Sequence, residues 1–110
     1  MEAARRRQLQ AYLQRPLSDL EVELALYDPT TRGPAEVWAK VVGPVRRAIC
    51  EKWQWCTIRQ DARFENDYDL AIAVFAVLAE HLAEVPLNAD LVLIAAIVVK
   101  RGLDHLCGCP

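Results

Sequence analysis

The chain is poor in the residues on which most enzyme chemistry is built. Among 110 residues it has one serine (Ser18), two histidines (His81 and His105) and four glycines. It therefore carries neither a glycine-rich phosphate loop nor a serine set beside a base for nucleophilic attack. Paired carboxylates occur as Asp67 with Asp69 and as Glu80 with Glu84, the second pair being i,i+4 neighbours on one helix surface. His81 sits at the end of an apolar segment beside Glu80 and Glu84, and a lone histidine in such a place reads as a satisfied polar side chain. These shortages argue against an enzyme.

Two further absences set expectations about location. The N-terminal stretch MEAARRRQLQ has no apolar run after its arginines and so does not read as a secretory leader. The expectation is a cytoplasmic, reducing setting. The two longest apolar runs, Leu70–Ala79 and Leu91–Val99, cover only about half of a ~30 Å hydrocarbon core at 1.5 Å per residue, so neither is expected to span a membrane. The net charge of -2 argues against nucleic acid as the partner of the whole chain.

What is present points to helices. Apolar residues make up 54% and charged residues 25% of the sequence, a globular composition. Proline punctuates it. Helices are predicted over about 2–14, ending before Pro16; 18–27, with Ser18 and Glu21 as a capping box; 34–57, opening on Pro34 and kinked at 43–44 by Gly43-Pro44; 67–84, capped by Asn66 or Asp67; and 89–106, opened by Asn88 and Asp90. In the third helix Trp38, Val42, Val45, Ile49, Trp53 and Cys56 share one face of a 100° wheel. The last two helices are apolar all round and joined by the short turn VPLN, which makes a central antiparallel hairpin. The predicted architecture is a single all-α domain over 1–110, a compact five- or six-helix bundle around that hairpin.

The cysteines carry the sharpest chemical motif. CEKWQWC runs from Cys50 to Cys56, and CGCP closes the sequence with Cys107 and Cys109. With His105 these residues supply enough sulfur and imidazole for a tetrahedral zinc site. The six-residue spacing weakens that reading, because on a continuous helix it leaves the two thiols about 120° apart. They can meet one ion only if the helix ends between them. A redox pair at Cys107 and Cys109 lacks the CxxC spacing that lowers a thiol pKa. Disulfides between the two regions require the last helix to end beside Cys50 or Cys56, and an oxidising environment. In the remaining reading Cys56 is a small buried hydrophobe.

Charge is unevenly spread. Arg32 to Arg63 holds seven basic and three acidic residues, and Phe64 to the end holds two basic and seven acidic. Arg46, Arg47, Lys52, Arg59 and Arg63 accompany Trp53 and Trp55, but the acidic second half would repel phosphate. By elimination the sequence reads as a helical protein-interaction module of the adaptor or effector-associated kind, with homotypic contact between the basic middle and the acidic half. Trp55, Arg59 and Arg63 are the expected residues of one side, and Asp67, Asp69, Glu80 and Glu84 of the other. One alternative is a cysteine-based metal or redox site using Cys50, Cys56, His105, Cys107 and Cys109, with zinc or an iron-sulfur centre as the group held. The other is a membrane-perturbing apolar hairpin.

Overall fold

The computed structural model describes residues 2–27, 33–81 and 90–110. Among them the chain is all-α: α1 (Ala3–Leu13), α2 (Leu17–Ala25), α3 (Pro34–Arg46), α4 (Trp55–Ile58), α5 (Asp67–His81), α6 (Leu91–Arg101) and α7 (Leu103–Cys107). A π-helical turn, Arg47–Lys52, continues α3, and a 3-10 turn, Ala62–Phe64, precedes α5. Among the described residues there are seven helices where five or six are expected from sequence, because the long third and last segments are each divided. The VPLN turn, the predicted end of the fourth helix at Glu84 and the cluster at 28–32 lie outside the described residues.

The centre of the molecule is α6. Every residue from Val92 to Val99 is buried, so this helix offers no face to water and must be enclosed on all sides. α5 forms its most extensive contact, and α1, α2 and α7 close the remaining sides. α5 itself buries Leu70, Ala71, Val74, Val77 and Leu78 and leaves Ala76, Ala79 and Glu80 exposed, so only one helix of the expected hairpin is enclosed all round. Its apolar surface is spent in the core. No helix among the described residues is long and apolar enough to cross a membrane.

Helix starts follow backbone hydrogen-bonding needs, with one exception. Asn66 Oδ1 accepts from the N–H groups of Tyr68 (2.8 Å) and Asp69 (3.1 Å). Asp90 Oδ1 accepts from Val92 N–H at 2.9 Å, and Pro34 opens α3; each satisfies or removes an orphan donor. The Ser18–Glu21 capping box is not formed. α2 starts one residue earlier, behind Pro16, and Glu21 instead meets Arg101 of α6 at 2.9 Å.

α3 passes through Pro44 without dividing there. The irregularity appears downstream, where the ladder widens and Trp53 N–H reaches the carbonyl of Ala48 at 3.0 Å, a π-type bond. The buried line of α3 is Val37, Val41 and Val45, continued by Ala48 and Ile49. Trp38, Val42, Trp53 and Cys56 of the expected stripe lie half-buried beside it.

A polar lock fastens α1 to α2 and α6. The Tyr12 hydroxyl hydrogen-bonds Glu23, Glu23 also accepts from Arg15 Nη1 at 2.9 Å, and Gln8 Nε2 donates to Tyr12 Oη and Asp90 Oδ2, each at 3.0 Å. Burial, reinforced by the Glu23 hydrogen bond and the carboxylates of Glu23 and Asp90, pushes the Tyr12 phenol well above its ordinary value of 10.0. The folded chain thus keeps a proton that the unfolded chain releases. Stability from the neutral phenol is present below pH 10.0 and drains away above it. Urea unfolding should show the wild type losing stability progressively as pH rises above about 10, with a flatter alkaline limb in Tyr12→Phe; equal slopes would refute the lock.

Candidate functional site

The CEKWQWC segment folds as two pieces. The π-helical turn ends at Trp53, and Gln54 adopts the left-handed conformation (φ 58°, ψ 51°), which costs a non-glycine residue about 1 kcal/mol. Its carbonyl then accepts from the N–H groups of Thr57 (2.9 Å) and Ile58 (3.3 Å), starting α4. The helix therefore does end between Cys50 and Cys56. The 120° separation expected of a continuous helix does not apply, and both cysteines reach the tail.

That tail is shaped to meet them. Gly102 (φ 95°) turns the chain from α6 into α7. At the other end of α7, Gly108 takes a left-handed conformation (φ 63°), with Cys109 N–H bonded to Asp104 O at 3.0 Å and Gly108 N–H to His105 O at 3.4 Å. This is a Schellman closure. It lets two cysteines only two residues apart face two different partners. Disulfides join Cys50 to Cys107 and Cys56 to Cys109, each with a Cα separation of 5.4 Å.

These bonds correct two expectations. The cytoplasmic, reducing setting is overturned: two disulfides within one chain point to an oxidising, extracellular or secreted environment. The cysteine metal set is also not what the folded chain presents, because a disulfide sulfur is no thiolate donor. Among the described residues no cluster of three or more His, Cys, Asp or Glu side chains is placed to hold a metal ion. His105 is exposed on α7.

Around the disulfides lies an aromatic and polar clamp. Trp53, Trp55 and Phe64 form a triangle with ring centroids 5.3 to 5.6 Å apart. Trp55 is buried at 5% exposure, and its indole N–H donates to Asp104 Oδ1 at 2.8 Å. Arg59 Nη1 lies 3.4 Å from the other Asp104 oxygen, and its Nη2 donates to the main-chain oxygen of Pro110 at 2.7 Å. Arg46 Nε reaches the carbonyl of Leu106 at 3.2 Å. The tail is held by these polar contacts and by two covalent bonds.

The expected interaction residues are accordingly redistributed. Trp55, predicted to point outward, is an internal anchor, because the π turn and Gln54 rotate it inward. Arg59 is engaged with the tail. Arg63 is exposed but doubly bonded to Asp61, at 3.1 and 2.8 Å; that contact holds the Asp61 carboxyl below its ordinary value. Asp67, Asp69 and Glu80 are exposed on α5, and Glu84 lies outside the described residues. Asp104 and Gln54 are the positions that sequence reasoning missed. Asp104 is an ordinary helix-start acid until the fold brings it to Trp55, and Gln is not a residue type that announces a left-handed turn.

A second feature is the outer face of α2. Val22 is 56%, Leu26 76% and Tyr27 40% exposed. A cavity of about 260 Å³ lies along Glu23, Leu26 and Tyr27, and the Tyr27 phenol is raised by burial and by the carboxylates of Asp90 and Glu23. With exposed Asp19, the apolar face is rimmed by acids. Comparison with protein-family models, curated proteins and solved structures finds no match.

The disulfides close loops that nearly coincide, with sequence separations of 57 and 53. Either alone restrains the unfolded chain by about 4 kcal/mol; adding the second closes only the small ring spanning Cys50–Cys56 and Cys107–Cys109, at about 2–3 kcal/mol. Removing one pair (Cys50→Ala with Cys107→Ala, or Cys56→Ala with Cys109→Ala) should thus cost about 2–3 kcal/mol, and removing both about 6–7, more than the sum of the pairs. Guanidinium unfolding reads this directly, and simple additivity would contradict it. Gln54→Gly relieves the left-handed strain and should raise stability by about 0.5–1 kcal/mol in the same assay; a loss would mean the amide makes contacts worth more than the strain.

Proposed function

We propose that the chain is a non-enzymatic helical protein-interaction module of an oxidising compartment, whose docking face is the outer surface of α2. The observation that carries this reading is the exposure of Val22, Leu26 and Tyr27, against the far fuller enclosure of the other large apolar side chains among the described residues. An apolar patch rimmed by Asp19, Glu23 and Asp90 suits a partner that presents apolar surface flanked by cations. A second copy supplies such a surface at the π-helical turn, where Arg47 and Lys52 are exposed and Trp53 is half-buried. Contact between two different faces is head-to-tail and builds rings or open chains.

The non-enzymatic reading is supported by how the polar side chains are used: Tyr12, Gln8 and Glu23 tie α1 to α2 and α6, and Trp55, Asp104 and Arg59 hold the tail. The disulfides support the oxidising compartment and leave the cysteines a fastening role.

Sedimentation equilibrium tests the proposal. The average mass should rise with concentration, fall back toward monomer in about 0.5 M salt as the charged rim is screened, and stay monomeric for Leu26→Glu. A wild-type monomer at every concentration and salt would remove the homotypic reading. Association unaffected by Leu26→Glu would remove the α2 face.

A further inference from the structure

A small cavity of about 110 Å³ lies between α3 and the α6–α7 junction, lined by Trp38, Val42, Arg46, Arg101, Gly102, His105 and Leu106. Its charge is one-sided. Two guanidinium groups and an imidazole contribute to the wall, and among the described residues no carboxylate does. Glu21, outside the lining, meets Arg101 Nη2 at 2.9 Å. The Trp38 ring lies 4.5 Å from the Arg101 guanidinium carbon, which orients that planar cation against an aromatic wall. Arg46 directs Nε to the carbonyl of Leu106 at 3.2 Å, so its position is fixed by α7. The volume corresponds to about three or four waters at ~30 Å³ each, enough for a single tetrahedral oxyanion group but not for a whole nucleotide.

We infer that this cavity is a binding site for a phosphate or sulfate monoester group, held by Arg46, Arg101 and His105 against Trp38. A cationic, partly enclosed pocket favours a compact dianion because each guanidinium offers several N–H donors to oxygens that have lone pairs in excess. The tetrahedral group suits the site better than a carboxylate, because its three terminal oxygens point in three directions, toward donors on α3, α6 and α7, whereas the lone pairs of a carboxylate lie in one plane. Wall placement rests on the two features that shape the tail. Gly102 turns the chain so that His105 and Leu106 return toward α3, and Cys50–Cys107 pins α7 there. The inference is independent of the α2 face, which lies on another helix and carries the opposite charge.

Titration with inorganic phosphate, followed by the three tryptophan indole N–H resonances, tests it, because of the three only Trp38 lines the cavity. The Trp38 signal should shift saturably while Trp53 and Trp55 stay in place, and sodium chloride at matched ionic strength should not reproduce the shift. Arg46→Gln should weaken binding at least tenfold. His105→Gln, an exposed position that leaves the tail contacts intact, should weaken it severalfold. Co-sedimentation with vesicles containing phosphatidic acid distinguishes the source of the group: binding to vesicles alone, lost in Arg46→Gln, identifies a lipid headgroup, and a shift with free phosphate identifies a soluble ligand. The inference is overturned if phosphate moves no Trp38 signal and vesicle binding is absent, or if either response survives both substitutions unchanged.

Discussion

A helix with no polar face imposes its own surroundings. From Val92 to Val99 every side chain of α6 is excluded from water, and each would expose apolar area at about 25 cal/mol per Å² if any neighbouring helix withdrew. α1, α2, α5 and α7 are placed by that demand. The polar interactions are arranged at the margins of the enclosure: Tyr12 with Glu23 where α1 meets α2, Asp90 at the mouth of α6, and Arg101 with Glu21 where α6 emerges. They set the angle and register of helices whose attraction is nonspecific.

The disulfides act at the opposite end of the same helix. α6 ends at Arg101, and the eight residues beyond Gly102, with only α7 as regular structure, are too few to bury much surface of their own. A helix as short as α7 is marginal in isolation. Here covalent bonds, the Trp55–Asp104 hydrogen bond and the two arginines replace the packing that a longer helix would have made. The left-handed residue Gln54 is part of this exchange. Its backbone strain lets both Cys50 and Cys56 reach Cys107 and Cys109 from one segment.

Most of the scaffold was legible in the sequence because proline, caps and apolar periodicity act locally. The cap at Asn66, the start at Pro34 and the enclosure of the last apolar run follow from residues a few positions apart. Other features were not legible. The inward turn of Trp55 depends on a π-helical ladder that no residue type encodes and on a glutamine in a glycine-like conformation. Ser18 and Glu21 match a capping box, yet Glu21 finds a stronger partner in Arg101, a residue of α6 far away in sequence. The compartment was misjudged because N-terminal composition is a local signal, while the pairing of four thiols depends on where α7 ends in space. The exposed face of α2 has a local origin: Leu20 and Leu24 take the core-facing line of the helix, and Val22 and Leu26, each two residues further on and so about 200° away on the helical wheel, are left outside.

The nearly coincident crosslinks also divide the chain into unequal territories. Everything between Cys50 and Cys109 belongs to a covalent ring that carries α4, α5, α6 and α7, whereas α1, α2 and α3 form a strap lying outside it. Under a stretching load applied at α1 and at the tail, tension bypasses the ring and runs along the strap, through the rungs, to Pro110. The strap can therefore peel while the ring keeps its length, and the surface uncovered first would be the flank of α6 that α1 and α2 normally shield.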